Sequence, residues 1–247
     1  MYAYIYDVFL SDKRYEKELI KIENSLTDLD LRGTTIRLSL LNSIGHTIQD
    51  LLSRGVKTLV TVGGDQLFSR LADYADDLQD VTLGIIPLGP HQEIAQLFGI
   101  PNGEKACDVL SARLIQPVQL GRINSGYFIH SVTIDDPRVK VACDDSFAAC
   151  ATTEKSVTSI HNLLYRNGES ASAKNHLSVM IRPSAEKRFL KKGSPITPTI
   201  IQTKQVQILE PHNVRILVDG QKVMKTPAKL KVARRKIQVI MGKNRKI

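Results

Sequence analysis

A glycine pair and an aspartate, Gly63-Gly64-Asp65, stand directly after Val56–Val62, a run of mostly β-branched and apolar residues. Two successive positions without side chains let an anion approach the main chain. There, backbone N–H groups at the end of a buried strand and the start of the next helix offer positive partial charge. Phosphate is the ligand that such a turn suits. The same residues suit a plain turn in which Asp65 only caps the helix. A second loop, Pro87–Gln92, precedes a short helical run, Glu93–Phe98, and places His91 either against a phosphate or in solvent. A third polar spot is Asp219-Gly220, a two-residue hairpin sequence. Its carboxylate is a candidate metal ligand or base, or simply the first residue of a type I′ turn.

The elements that must position these residues change character along the chain. In the first half strands alternate with helices. Tyr2–Tyr6 reads as a strand, then Tyr15, Leu19, Ile22 and Leu26 recur at helical spacing. Thr34–Leu40 is β-rich. Ser43 opens a helix carrying Ile44, Ile48, Leu51 and Leu52 that ends at Gly55, and after Val56–Val62 a further helix carries Leu67, Leu71, Tyr74 and Leu78. Val81–Ile86 is another buried strand. This alternation predicts a parallel sheet covered by helices over 1–117. From residue 118 strand signals dominate: Val118–Ile123, Tyr127–Ile134, His176–Ile181, Thr197–Ile208, Val214–Val218 and two segments around Leu230 and Val239. Residues 118–247 therefore read as a mostly antiparallel β domain whose tail is free to return to the first. Ala151–Ala173 carries no clear pattern, and Pro183–Pro198 reads as the longest loop.

Composition is that of an ordinary globular protein, 42% hydrophobic and 24% charged. No apolar run approaches the length that spans a bilayer, and the start lacks the order of a secretory signal, which predicts a cytoplasmic protein. Cys107, Cys143 and Cys150 show no metal-ligand spacing and read as buried free thiols. The net charge of +9 is unevenly shared: residues 121–247 hold 23 basic and 9 acidic side chains. A basic half favours phosphate-rich partners, an anionic membrane surface among them. Lys229, Lys231, Arg234, Arg235 and Lys236 form one cluster that suits anionic lipid or a solvated strand face. No nucleic-acid-binding motif accompanies this charge, and self-association is left open.

The segment Val56–Pro101 resembles the diacylglycerol-kinase catalytic family, with NAD kinases as more distant relatives. That family shows a strand, GGDGT, a helix, a second strand, and a P-x-GT-x-ND-x-A loop ending near G-I-P. Gly63, Gly64 and Asp65 match its GGD; Pro87, Leu88 and Gly89 match the start of its second loop; Ala95, Leu97, Gly99, Ile100 and Pro101 match the end. Leu120-Gly121-Arg122-Ile123-Asn124 with Tyr127-Phe128 extend the likeness, and Val218-Asp219-Gly220-Gln221 resembles the family's DGE segment. The resemblance implies an ATP-binding first lobe, with Gly63, Gly64, Asp65, Gln66, Gly89, His91, Gln92 and Glu93 at the nucleotide. It also implies a lipid acceptor entering between the lobes and magnesium-assisted transfer of the γ-phosphate to a lipid hydroxyl. Asp65, Asp219 and Gln221 would then form the catalytic set, with Asp219 the candidate metal ligand.

The departures from the family fall on the same loops. Gln66-Leu67 replace Gly-Thr, Pro90-His91-Gln92-Glu93 replace Thr-Gly-Asn-Asp, and Gln221 replaces a glutamate. Tyr6-Asp7-Val8-Phe9 stands where the family has asparagine-proline-x-serine-glycine. Two readings follow from this pattern. One is a divergent ATP-dependent lipid kinase; the other is a non-catalytic descendant that binds nucleotide or lipid or serves as a scaffold.

Overall fold

The computed structural model describes residues 1–39, 43–153, 155–166, 169–170, 175–183, 197–210 and 213–247. In chain order these form β1 (Tyr2–Tyr6), α1 (Glu16–Asp28), β2 (Gly33–Arg37), α2 (Ile44–Ser53), β3 (Thr58–Gly63), α3 (Asp65–Arg70), β4 (Thr82–Pro87), α4 (Glu93–Leu97) and α5 (Ala106–Ala112). There follow β5 (Ile115–Ile123), β6 (Gly126–Phe128), β7 (Ser131–Ile134), β8 (Val141–Cys143), β9 (Phe147–Ala149), β10 (Ser156–His161), β11 (Tyr165–Arg166), β12 (Glu169–Ser170), β13 (Leu177–Pro183), β14 (Thr199–Thr203), β15 (Gln205–Ile208), β16 (Arg215–Val218), β17 (Lys222–Lys225) and β18 (Ala228–Ile240). The chain divides into two compact units: residues 1–118 with 235–246, and residues 119–234 with 247.

The first unit is a parallel sheet in the order β2-β1-β3-β4, extended by the end of β18, whose Gln238 and Val239 pair in parallel with Thr82 and Leu83. Every residue of β3 is buried, as a strand covered on both faces requires. From α1 the side chains of Leu19, Ile22 and Leu26 are buried, and from α2 those of Ile44, Ile48 and Leu51, in each case the apolar stripe of the sequence. Leu67 on α3 is 2% exposed and thus belongs to the core. Burying such a side chain contributes about 2 kcal/mol. The tail is held on this unit by main-chain bonds: Met241 N–H donates to the Leu114 carbonyl, Gly242 to Phe98 and Lys246 to Leu97. Gly242 must be glycine because a Cβ there would collide with the Gly99 carbonyl.

In the second unit one sheet is antiparallel, in the order β14-β13-β10-β7-β16-β17. A second antiparallel run joins β15 to β18 and to β8, and β8 to β9. Val132, Ile160, Val179 and Val218 from the first set pack in one core with Val141, Val206, Ile208 and Leu230 from the other. Several details depart from the sequence expectations, among them Thr197–Ile208, which is two strands, β14 and β15, in different sheets. Tyr127–Ile134 is two strands, β6 and β7, interrupted at Ile129-His130. The segments around Leu230 and Val239 form one thirteen-residue strand, β18. The patternless Ala151–Ala173 contains β10, an interior strand of the six. Pro183–Pro198 lies largely outside the described residues. Cys107 and Cys143 are buried as expected, whereas Cys150 is exposed. No helix among the described residues is long and apolar enough to cross a membrane.

Candidate functional site

Three loops meet at the carboxyl ends of β1, β3 and β4, the edge where open parallel sheets place their ligands. After β3, Gly63 adopts φ +145° and Gly64 an extended backbone at φ −80°. The main chain of the turn bonds to its neighbours. Leu88 N–H donates to the Gly63 carbonyl at 2.9 Å, Asp65 N–H to the His91 carbonyl at 2.9 Å, and Asp7 N–H to the Val62 carbonyl at 3.0 Å. Each glycine is accounted for by a close approach within the protein. A Cβ on Gly63 would stand 2.7 Å from the Asp7 Cβ, one on Gly64 2.8 Å from the Pro90 carbonyl oxygen, and one on Gly89 2.8 Å from the Phe9 ring.

Asp65 is 5% exposed. Its Oδ2 accepts from Ile94 N–H at 2.6 Å and its Oδ1 from Ala95 N–H at 3.2 Å. The aspartate that opens α3 thus satisfies the first amides of α4, groups that a helix of five residues cannot pair internally. In the second loop Gly89 takes φ +89° and His91 φ +57°. Gln92 Nε2 donates to the Gly89 carbonyl at 2.7 Å and to Asn102 Oδ1 at 3.1 Å, which fastens the loop to the chain beyond α4. Gln66, His91 and Glu93 are exposed, and Gln92 is half-buried. Asp7, noted in the sequence only as part of the Tyr6-Asp7-Val8-Phe9 departure and not as a site residue, is a further carboxylate at this edge. Burial pushes its carboxyl above the ordinary carboxylate range, against the amides of Val8 and Phe9 and the charge of Arg70. The available signal was its position one residue past a buried parallel strand.

In the second unit Asp219 and Gly220 have φ +48° and +72°, and Gln221 N–H donates to the Val218 carbonyl at 3.1 Å, which makes a type I′ turn. The Asp219 carboxylate accepts from Ile129, His130 and Ser131 N–H at 2.8, 2.8 and 2.9 Å. Gln221, a half-buried neutral amide, immediately precedes the return strand β17. Asp65 and Asp219 already hold amides, the glycines face protein atoms, and no cluster of metal-ligating side chains occurs among the described residues. An open cavity of about 590 Å³ is lined by Asp135, Asp136, Pro137, Arg138, Val214 and Arg215. Its charges pair off, Arg215 with Asp135 and Arg138 with Asp136, so it carries no surplus for an anion.

Beside the Asp219 turn lies a buried histidine. His161 on β10 is 8% exposed, its Nε2 bonds the Ser159 hydroxyl at 2.8 Å, and its ring meets that of His130 edge-on at 5.5 Å. Burial, then the neighbouring charges of His130 and Arg182, depress its pKa to about 3. Below an unfolded-state value near 6.5 the unfolded chain takes up a proton that the folded chain refuses. Stability from this residue is thus complete above that value and declines as pH falls toward 3. Between pH 6.5 and 5 the loss should be about 2 kcal/mol. Urea unfolding at the two pH values should show that difference shrinking in His161→Gln; an unchanged difference would exclude His161 as its source.

Residues 5–123 match the family model of the diacylglycerol kinase catalytic domain. The diacylglycerol kinase of Bacillus subtilis (strain 168) is 23% identical over 129 residues, covering 51% of this chain and 43% of that protein. A probable lipid kinase YegS-like protein of Pseudomonas aeruginosa is 31% identical over 87 residues, 35% of this chain and 29% of that protein. Each match spans less than half the length of the curated relative. Among solved structures, a putative diacylglycerol kinase from Bacillus anthracis str. Sterne superposes with a TM-score of 0.77 at 15% identity, covering 98% of this chain and 97% of that one. An NAD kinase from Archaeoglobus fulgidus in complex with ATP gives 0.57 at 13% identity, covering 100% and 96%.

Proposed function

The chain is a divergent member of the diacylglycerol kinase catalytic-domain family through residues 5–123, and from that premise we propose that it is a lipid-directed binding protein rather than an efficient kinase. One observation carries the reading. The carboxyl positions that the family resemblance places at the reacting phosphate are each engaged or altered: Asp65 accepts two amides, Asp219 accepts three, and Gln221 is uncharged. A general base needs a lone pair within reach of the proton it removes, and magnesium needs oxygen ligands. An amide at 221 supplies neither function well. In-line transfer is mostly positioning and charge neutralisation, so a fold that keeps the turns but ties up their carboxylates keeps binding surfaces and loses rate.

With labelled ATP, magnesium and a panel of diacylglycerol, sphingosine and ceramide, transfer should fall at least about 10²-fold below that of a family enzyme with intact motifs, the cost typical of one lost base. Gln221→Glu alone should not restore it, because Asp65 and Asp219 remain engaged. Label entering lipid at the rate of an intact enzyme, and lost in Asp65→Asn, would reverse the reading.

A second reading, an ATP-dependent lipid kinase, is favoured by the retained Gly63-Gly64-Asp65 turn and by one segment, 87–95, whose His91 carbonyl accepts from Asp65 N–H and whose Ile94 and Ala95 amides donate to the Asp65 carboxylate. On that reading ATP and magnesium would be taken at Gly63, Gly64, Gly89, His91, Gln92 and Glu93, and ATP would raise the melting temperature in an Asp65-dependent way.

A further inference from the structure

Two side chains from one short segment cover two of the three glycines at the strand ends. Between β1 and α1 the chain folds as two 3-10 turns, Val8–Ser11 and Lys13–Tyr15. Their own bonds fix them: Leu10 N–H donates to the Asp7 carbonyl at 3.1 Å, Asp12 N–H to that of Phe9 at 3.2 Å, and Tyr15 N–H to that of Asp12 at 3.0 Å. The Asp12 carboxylate also accepts from Arg14 N–H at 3.0 Å. So anchored, the segment sets Asp7 against Gly63 and Phe9 against Gly89. A Cβ on Gly63 would stand 3.3 Å from Asp7 Oδ2, and one on Gly89 would stand 2.8 and 2.9 Å from two ring carbons of Phe9 and 3.5 Å from the Tyr15 hydroxyl. The Phe9 ring is itself braced, meeting Tyr15 edge-on at 5.3 Å, and the Arg14 guanidinium lies over the Tyr15 ring at 4.9 Å.

A glycine loop can be closed in two ways that leave different backbones. A collapsed loop pairs its amides internally, whereas a plugged one keeps them unpaired. Here, among the described residues, no acceptor pairs with the N–H groups of Gly64, Gly89, His91 or Gln92. Amides at neighbouring loop positions are the donors that phosphate oxygens take. The Asp7 carboxylate repels a second anion beside Gly63, and the Phe9 ring denies it the main chain at Gly89. Gly64 faces the Pro90 carbonyl, a main-chain contact that no side-chain change removes, so the closure in question concerns Gly63 and Gly89. We infer that segment 7–15 is an autoinhibitory plug, closing to polyphosphate anions two loops whose amides remain able to hold one.

This inference deepens the reading of a family member that has lost transfer, and rests on it. Inorganic tripolyphosphate is the probe, titrated calorimetrically into the full chain at low salt. The parent should bind it weakly. Asp7→Asn and Phe9→Ala should each tighten binding about tenfold, since at an effective dielectric of about 20 a like charge several Å away repels by at least that factor. Gly89→Ala added to Phe9→Ala puts a side chain back into the opened space and should cancel the gain. Ile20→Ala, which trims an exposed side chain of α1, should leave affinity within about twofold. Unfolding midpoints identify a variant that fails to fold, and Asp7→Asn, which changes charge at nearly constant volume, carries the test if Phe9→Ala does. Labelled phosphate transfer to lipid should stay at the parent's level throughout, because Asp65 and Asp219 remain engaged. Unchanged affinity in folded Asp7→Asn and Phe9→Ala would overturn the plug and leave the loss of transfer standing. A gain that survives Gly89→Ala would place the anion elsewhere and overturn it too. Transfer gained together with binding would instead keep the plug and overturn the role given to the engaged carboxylates.

Discussion

Asp219→Ala should lower the unfolding free energy by about 4 kcal/mol, although the residue lies in a two-residue turn whose aspartate could otherwise be exchanged at little cost. The expectation follows from what its carboxylate holds. Three successive amides, at Ile129, His130 and Ser131, point at its two oxygens within 2.9 Å, and its own N–H donates to the Ser131 carbonyl at 2.7 Å. Hydrogen bonds to a charged group contribute about 1.5–3 kcal/mol each, with water recovering part of the loss at a half-buried site. Alanine is also less tolerant than aspartate of the left-handed backbone at φ +48°, which adds about 1 kcal/mol. Asp219→Asn keeps the backbone preference and one acceptor oxygen, and should lose about half as much. Urea unfolding of the three proteins orders them. An alanine variant within about 1 kcal/mol of the parent would mean that the amides find water at no cost, and Asp219 would again be available as a metal ligand or base.

Asp219 also shows how far the sequence could be read. Asp219-Gly220 declares its hairpin locally, because only the turn type demands those residues. Its engagement with residues about ninety positions earlier has no local signature. The same engagement explains why Tyr127–Ile134, continuous in its β propensity, breaks into β6 and β7 at the residues whose amides turn toward Asp219. Strands β3 and β4 were legible because burial on both faces leaves an uninterrupted apolar run. Strand β10, SVTSIH, was not. Its interior position is filled by Ser159, Thr158 and His161, polar side chains that sequence patterning assigns to loops. The segments around Leu230 and Val239 read as two strands, yet β18 runs continuously through Arg234-Arg235-Lys236 between them, and Arg235 leans out to Asp76 at 2.6 Å. The glycines of the Gly63 turn were legible as a place of close approach. What approaches them is tertiary, and the sequence could not choose between a ligand and the chain's own Asp7, Pro90 and Phe9.

The remaining large effect tests that choice directly. Asp65→Ala should lower stability by about 3 kcal/mol in the absence of any nucleotide. Removing the carboxylate leaves the Ile94 and Ala95 amides, buried residues at the start of α4, without an acceptor, and each such orphan costs about 1–3 kcal/mol. Asp65→Asn keeps one oxygen but turns an NH₂ toward the second amide, donor against donor, so it should recover only part of the loss. The damage should be local as well as global. Hydrogen exchange at Ile94 and Ala95 should quicken more than exchange in β3, because the capping bond closes α4 while β3 is held by pairing on both sides. A ligand residue would behave in the opposite way. Buried charges kept for binding commonly cost stability, so an alanine variant that melts with the parent, leaves α4 exchange unchanged and loses only an ATP-induced shift would return Asp65 to the nucleotide and the chain to the kinases.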